Sequence, residues 1–422
     1  MAGTAAEWER RIAAVYREDR GRVLASLIRL LGDFDLAEEA VHDAFAAALD
    51  QWPKRGMPDS PWRWLVSAGR FKAIDRIRRR VRASAGEPEL IRQYEEAAEA
   101  GEAEPEMLED DSLRLIFTCC HPVLPPDAQI ALTLREVGGL TTEEIASAYL
   151  AATPAIAQRI VRAKNRIRDA AVPYEVPGRD ELPARLESVL RVIYLIFNEG
   201  YSAHHGDALI RADLTGEAIR LGRLLTDLLP DPEALGLLAL MLLNESRSAA
   251  RTARDGEMVL LPDQDRSRWD RAKIAEGCAL LSRAYATGEI GSYGLQAAIA
   301  AEHATADTAE NTNWARIVAL YDLLLLADPS PVVELNRAAA IAVRDGPAAG
   351  LPLIDELLAR RGLANYHLAF AVRADLYRQL GRVGEARADY RLALKLTQQQ
   401  PERRFIERRL AELDDGPLPA KS

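Results

Sequence analysis

The sequence predicts an all-α protein with two small helical modules, an acidic linker between them and a longer run of helix pairs. Ala, Leu, Arg and Glu dominate the composition and aromatic residues make up only 6% of it, which favours helices over sheets. Apolar residues recur at the spacing of one helix face in each module. A length of 422 residues exceeds what one hydrophobic core accommodates, so several domains are expected.

The first module is predicted over residues 1–82. Its clearest helix carries an apolar stripe at i, i+4, i+7, i+8 and i+11, formed by Val41, Phe45, Ala48, Leu49 and Trp52. Asp33 or Asp35 can cap the start of this helix. Three prolines and a glycine predict a loop from Trp52 to Pro61. A second helix is expected to start with Ser60 as its cap and Pro61 at its first position.

The second helix becomes strongly basic toward its end, while its first half is apolar. Phe71 is expected to join the core of the module. The basic residues of the helix are Arg70, Lys72, Arg76, Arg78, Arg79, Arg80 and Arg82. Residues 1–82 contain 16 Lys/Arg and 12 Asp/Glu, so the module is net basic although the whole chain has a net charge of −10.

An acidic linker is predicted over residues 83–112, which contain one Arg and 11 Asp/Glu. The second module, residues 113–172, is again net basic, with 7 Lys/Arg and 5 Asp/Glu. The remainder of the chain is acidic. We expect free protein with this charge distribution to bind DNA weakly, because neutralisation of phosphates supplies most non-specific affinity.

The second module contains a predicted helix-turn-helix. Thr141 and Glu144 form a capping box for a short helix, and Thr153 with Pro154 is the predicted start of the next one. The buried stripe of that second helix is expected to consist of Ile156, Ile160, Ala163 and Ile167. Basic and polar residues cover its other faces, which is typical of a helix that enters the major groove.

Residues 10–172 resemble the extracytoplasmic-function (ECF) sigma factors, which direct bacterial RNA polymerase to particular promoters. The resemblance rests on three segments in the right order: Asp35–Phe45, Trp62–Arg79 and Leu132–Arg168. They are similar to the polymerase-clamp helix, the promoter-melting and −10 helix, and the −35 domain of that family. Residues 1–82 would then be sigma region 2 and residues 113–172 sigma region 4.

The resemblance implies two DNA-binding sets and one polymerase-binding set. For the −10 element the set is Lys54, Arg55, Trp62, Arg76, Arg79 and Arg80. For the −35 element Gln158, Arg159 and Arg162 are candidates for base edges, and Lys164 and Arg166 are candidates for phosphates. The polymerase-binding candidates are Glu38, Glu39 and Asp43. The alternatives, a solvated basic face and charges that serve only solubility, stay open.

A helical extension is predicted over residues 180–415. Ala374, Tyr377, Gly381, Ala386, Tyr390 and Ala393 have the spacings of a tetratricopeptide repeat, and Gly346 lies 35 residues before Gly381. Arg191–Tyr201 and the repeats resemble the ECF subgroup whose tetratricopeptide-containing extension takes part in control. Stacked helix pairs of this kind bind proteins.

No metal, cofactor or catalytic activity is expected. Cys119, Cys120 and His121 are too close in sequence to form one tetrahedral site, and no partner pair has zinc spacing. His204 and His205 lack an accompanying phosphate loop or nucleophile elbow. The start of the chain has no signal-peptide core and the longest apolar run is too short to span a bilayer. We therefore expect a cytoplasmic protein without membrane contact.

Together these features predict a sigma factor that binds core RNA polymerase and promoter DNA and is regulated by its extension. The alternative is a tetratricopeptide-containing DNA-binding regulator that is not a sigma subunit. Such a regulator needs only the helix-turn-helix, not the clamp and melting helices. Two further contacts are left open: one between the extension and the sigma modules, and one between the repeats and an unidentified protein.

Overall fold

The computed structural model describes residues 5–84, 105–149, 151–201, 212–253, 257–360, 363–397 and 399–414. These residues form α-helices, three short 3-10 helices, connecting turns and one isolated antiparallel bridge between Thr252 and Met258. The predicted all-α class is therefore confirmed. Within these ranges, no helix is long and apolar enough to cross a membrane. The chain divides into two compact units, residues 1–193 and residues 194–422.

The first unit contains both predicted modules. Its helices are α1 (Ala5–Leu31), α2 (Phe34–Arg55), α3 (Pro61–Ser84), α4 (Pro105–Cys119), α5 (Pro126–Glu136), α6 (Thr142–Ala148), α7 (Thr153–Asp169) and the first part of α8 (Leu182–Tyr201). Helix α1 packs against α2, α3 and α4, and α7 packs against α5 and α6.

Helix α2 begins as predicted, because the Asp33 carboxylate accepts a hydrogen bond from the Leu36 N–H at 2.7 Å. Most of the predicted apolar stripe is buried, but Leu49 is 50% exposed, so its assignment was wrong. At 3.6 residues per turn, Leu49 lies about 80° around the helix from Val41, whereas the other stripe residues lie within about 40°. Small residues allow close packing: a Cβ on Gly69 of α3 would lie 2.9 Å from the Ala40 carbonyl oxygen.

The predicted loop between the first two helices is shorter than expected. Helix α2 continues through Pro53 and ends at Arg55, and the following Gly56 has φ of 88°. Proline lacks an N–H and costs one helical hydrogen bond, yet the Gly56 N–H still donates to the Trp52 carbonyl at 2.9 Å. Pro53 therefore weakens the last turn without ending the helix before it.

The helix-turn-helix forms from α6 and α7. The capping box is confirmed, since the Thr141 N–H donates to the Glu144 carboxylate at 2.7 Å and the Glu144 N–H donates to Thr141 Oγ1 at 3.1 Å. The predicted cap of α7 was wrong by one residue: Thr153 is already helical, and the N-cap is Ala152, without a side-chain hydrogen bond. The four residues of the predicted α7 stripe are all buried.

Helix α4 begins inside the segment predicted as linker. Asp111 is completely buried, and it accepts hydrogen bonds from Arg29 at 2.8 and 3.0 Å and from Arg114 at 2.6 Å. Two arginine side chains pair with this buried carboxylate. The end of the predicted linker is therefore part of the packed first unit. Residues 85–104 of the linker lie outside the described residues.

The second unit is a series of helices in which neighbours along the chain pack together. Besides the end of α8, it contains α9 (Ala212–Leu228), α10 (Pro232–Glu245), α11 (Arg271–Tyr285), α12 (Ser292–Thr305), α13 (Trp314–Ala327), α14 (Pro331–Asp345), α15 (Pro347–Ala359), α16 (His367–Gln379), α17 (Val383–Leu396) and α18 (Gln400–Asp414). From α9 to α18 each helix packs against the next, and α10 also packs against α12.

The residues that suggested a repeat lie in the core of the pairs. Ala374, Tyr377, Ala386, Tyr390 and Ala393 are buried between α16 and α17. The turn between these helices contains Gly381 with φ of 71°, and the turn between α14 and α15 contains Gly346 with φ of 96°. The left-handed backbone at both turns explains why glycine recurs there. The tetratricopeptide assignment itself stays a prediction.

Candidate nucleic-acid interface

The predicted −10 residues lie at the end of α2 and along α3. Lys54 is exposed and forms an i,i+4 ion pair with Asp50, while Arg55 is exposed. The Trp62 ring lies between two guanidinium groups, Arg22 at 4.4 Å and Arg63 at 5.1 Å from its centroid. This ring is therefore held in place by cation–π contacts at the surface of α3.

Trp64 and Phe71 have opposite environments on α3. Trp64 packs edge-on against Trp52, with ring centroids 5.4 Å apart, so it contributes to the core. Phe71 is 69% exposed, and the prediction that it joins the core was wrong. Leu65, Val66 and Ala73 form the buried face of α3. The helical period places Phe71 on another side of the helix.

Arg76 joins two predicted sets that were expected to be separate. Its guanidinium pairs with Glu39 and with Asp43, the latter at 2.7 Å. Arg76, a predicted −10 residue, is therefore paired in the free chain with two of the predicted polymerase-binding carboxylates. Both ion pairs are partly exposed, so a binding partner can replace Arg76 at these carboxylates with only a small loss of free energy. Arg79 and Arg80 lie on α3, but their side chains are outside the described residues.

The predicted base-reading face of α7 is open to solvent in the first unit. Gln158, Arg162 and Arg166 are exposed. Arg159 is about one third exposed and pairs with Asp127 of α5 at 3.2 Å. These four side chains belong to one helix whose opposite face is buried, so they project from the unit together.

Lys164 lies in a buried group of charges, which we call the ion cluster: Arg20 of α1, Glu38 of α2, Glu136 of α5 and Lys164 of α7. Lys164 pairs with Glu136 at 3.0 Å and with Glu38 at 2.5 Å. Arg20 pairs with Glu136 at 3.2 Å and with Glu38 at 3.5 Å. The Glu136 side chain is fully buried. A predicted −35 phosphate contact is thus bound to a predicted polymerase-binding residue.

The charges in the cluster stabilise each other in spite of burial. Burial by itself lowers the pKa of Lys164, but the negative charges of Glu136 and Glu38 outweigh it and raise that pKa. Burial likewise lowers the pKa of Arg20, but the charges around it, Glu136 first among them, outweigh burial and raise that pKa. Arg20 also donates to the main-chain carbonyl of Arg135 at 2.9 Å. The raised pKa values keep Lys164 and Arg20 protonated at neutral pH.

Other contacts also join the modules. A Cβ on Gly21 of α1 would lie 3.0 Å from the Val137 carbonyl oxygen, so α1 approaches the end of α5 closely. The Tyr174 hydroxyl lies 3.0 Å from the Ala25 carbonyl and 3.3 Å from the Asp111 carbonyl. Burial raises the pKa of Tyr174 well above its usual value, which keeps the hydroxyl protonated as a donor. We call this packing of the two modules the closed arrangement.

The cysteine pair lies in the interior of the first unit and takes no part in this surface. Cys119 and Cys120 are buried, and burial raises the pKa of Cys120 to about 12. Cys120 Sγ lies 3.4 Å from Thr133 Oγ1. In the ranges given above, no group of three His, Cys, Asp or Glu residues is arranged to hold a metal ion. His204 and His205 lie outside the described residues.

Comparison with known families matches both modules of the first unit. Residues 15–83 match sigma-70 region 2, and residues 114–167 match sigma-70 region 4. The chain therefore contains both of these sigma-70 regions. Its two domains are those of a non-enzymatic factor for promoter-specific transcription, and they imply core RNA polymerase and promoter DNA as partners.

The remaining comparisons concern the whole chain and the extension. The chain is 43% identical over 402 residues to an uncharacterized protein, R00370, of Rhizobium meliloti (strain 1021). The match covers 94% of this chain and 95% of that protein, so it extends over nearly the whole of both. Residues 185–285 match a family of unknown function, DUF6596. This match spans α8 to α11 and precedes the pairs that suggested tetratricopeptide repeats.

Proposed function

We propose that the chain is an ECF-type sigma factor that binds core RNA polymerase through α2, reads the −10 element with α3 and reads the −35 element with α7. Its C-terminal helical extension regulates this activity. The observation that carries the proposal is the presence of both sigma-70 regions in one unit, with Gln158, Arg162 and Arg166 exposed on α7. A DNA-binding regulator that is not a sigma subunit has no need of region 2.

The closed arrangement has a consequence for promoter binding. Positions −10 and −35 are about 25 base pairs apart, or about 85 Å along B-form DNA. A compact unit of 193 residues has a radius of gyration of about 16 Å and a diameter of about 40 Å. The two modules must therefore move apart before both elements are bound, and the ion cluster must be broken.

We infer that core polymerase supplies the energy for this opening. Glu38 is shared between Arg20 and Lys164 in the closed arrangement, and it lies on the helix proposed to bind the clamp. A basic surface on the polymerase that takes Glu38 would leave Lys164 with Glu136 alone and weaken the contact between α2 and α7. Holoenzyme assembly and release of the −35 module are then coupled events.

Run-off transcription with purified core polymerase tests the proposed function. Promoters are first selected by sequencing the 5′ ends of transcripts made from a genomic library with core polymerase plus the full chain. We expect defined start sites that core polymerase alone does not produce. Identical transcripts with and without the chain would exclude a sigma factor. Binding of the free chain to the same DNA without altered transcription would favour the alternative regulator.

Substitutions at Arg159 and at Asp127 are expected to change −35 binding affinity in opposite directions. Arg159→Ala is expected to weaken holoenzyme affinity for the −35 element by about 1–3 kcal/mol, because one base contact is lost. Asp127→Asn releases Arg159 from its 3.2 Å pair and should tighten binding by less than about 1 kcal/mol. Mobility-shift titrations on the selected promoters measure both.

The control for this pair is Glu143→Gln, on the exposed first turn of α6. If Arg159→Ala and Glu143→Gln bind the −35 element equally well, Arg159 does not read DNA. If Asp127→Asn weakens binding as much as Arg159→Ala does, then the pair has a structural role in holding α5 to α7.

A further inference from the structure

The second unit contains a cavity of about 520 Å³ that the proposed sigma function does not use. It lies among α10, α12, α13 and α14, and this volume is within the range of small-molecule sites, about 300–1,000 Å³. Much of its wall is apolar. The apolar lining includes Leu240, Leu243, Leu261, Trp269, Ile299 and Val333.

Two opposite charges line the same cavity. Arg247 follows α10, and its guanidinium donates to the Asn244 side-chain oxygen at 3.2 Å. Asp328 follows α13 and lies at the exposed rim. Among the described residues, no carboxylate lies within 4 Å of Arg247 and no cation lies within 4 Å of Asp328, so they do not pair with each other either.

The other polar groups of the wall are neutral. Burial, and then repulsion by Arg247 and Arg266, lower the pKa of His303 to about 4, so its imidazole is uncharged at neutral pH. Gln296 and Asn336 add carboxamides. Trp269 is 3% exposed, and its buried Nε1–H has no acceptor in the described part of the chain. Donors and acceptors are therefore available beside one positive and one negative charge.

We propose that this cavity binds a free α-amino acid with an apolar side chain. The ligand's carboxylate pairs with Arg247, its ammonium group pairs with Asp328, and its side chain lies against the leucines and Trp269. A ligand with a single charge would pair with only one of Arg247 and Asp328, and an unpaired charge costs more free energy at the half-buried Arg247 than at the exposed Asp328. A zwitterion satisfies both. The proposal concerns binding alone and does not depend on the sigma function.

Isothermal titration calorimetry on the full chain tests the proposal with L-phenylalanine and L-leucine as probes. Phenethylamine lacks the carboxylate and is expected to bind at least about ten-fold more weakly than L-phenylalanine. 3-Phenylpropionate lacks the ammonium group, whose partner Asp328 is exposed, and is expected to bind about two- to five-fold more weakly. Arg247→Gln should weaken L-phenylalanine binding about ten- to one-hundred-fold, since it removes a charge-assisted contact from a half-buried site. Asp328→Asn removes an exposed pair and should weaken binding about two- to five-fold.

The matched control variants are Arg283→Gln on α11 and Asp227→Asn on α9. Both residues are exposed and neither lines the cavity, so L-phenylalanine affinity should be unchanged. The comparison of ligands on the unaltered chain remains decisive even if a cavity variant fails to fold. No binding of either amino acid, or equal binding of L-phenylalanine and its two analogues, overturns the proposal.

Discussion

Glu136→Gln is expected to open the closed arrangement and to destabilise the first unit by about 3–5 kcal/mol. The carboxylate is fully buried between Arg20 and Lys164, and its removal leaves two buried cations to share Glu38. Loss of one partner from a buried ion group has this cost because the remaining charge stays desolvated. Urea denaturation measures the free energy, and hydrogen exchange of α1 and α7 reports their separation.

A second substitution that rebalances the charges tests whether the loss of stability in Glu136→Gln comes from electrostatics and not from packing. Glu136→Gln combined with Lys164→Met leaves Arg20 with Glu38, so the charges balance again and the double variant should be more stable than Glu136→Gln alone. Charges in one network show coupling energies of about 0.5–3 kcal/mol. The surface variant Glu143→Gln serves as control. Equal stability of Glu136→Gln and Glu143→Gln would show that the ion cluster does not hold the modules together.

Opening of the closed arrangement is also expected to change how fast the chain associates with core polymerase. If core polymerase must break the cluster, Glu136→Gln lowers that cost and should raise the association rate of the full chain with core polymerase. Stopped-flow fluorescence measures this rate. A rate equal to that of the unaltered chain, in a variant whose exchange data show separated modules, would mean that opening does not limit assembly.

The second large effect is expected at Asp111, where Asp111→Asn should cost about 3 kcal/mol of stability. Both oxygens of the buried carboxylate share the Arg29 Nε–H, and one of them also accepts a hydrogen bond from Arg114. Charge-assisted hydrogen bonds contribute about 1.5–3 kcal/mol when buried. The two arginines keep part of their side chains in solvent, so the cost stays below the sum of the separate contacts.

Thermal unfolding of the full chain measures this cost, with Asp180→Asn as an exposed control. The same experiment distinguishes two views of the acidic segment. If residues 83–112 were only a solvated tether, then Asp111→Asn and Asp180→Asn would unfold at the same temperature. A lower melting temperature for Asp111→Asn alone means that its end anchors α4 to α1.

Local features of the fold could be predicted from the sequence because their causes are local. The Asp33 cap and the Thr141–Glu144 capping box each join groups three residues apart. The stripe of α7 follows the helical period, and all four of its residues are buried. Phe71 and Leu49 were misplaced for a related reason: an apolar residue near a stripe lies inside or outside depending on which helix packs beside it.

The candidate DNA-binding surface was predicted as residue types on helices, but not as contacts. Lys164 and Arg166 looked equivalent in the sequence, yet Lys164 is buried among carboxylates and Arg166 is exposed. One signal could have indicated the difference, since Glu136 ends a stretch of otherwise mostly apolar residues in α5. A carboxylate on a buried face requires a cation, but the sequence does not say which one.

The sequence by itself determined the helical class, the two basic modules with their helix-turn-helix, and the resemblance to sigma factors. These follow from composition, from the period of apolar residues and from motif spacing along the chain. Only the tertiary structure decided that Lys164 meets Glu38 across 126 positions of sequence, that Arg76 meets Asp43, and that Arg247 and Asp328 line one cavity. Such pairings depend on how the helices pack. Packing brings together residues that are far apart in the sequence, and their positions in the sequence do not indicate which of them will meet.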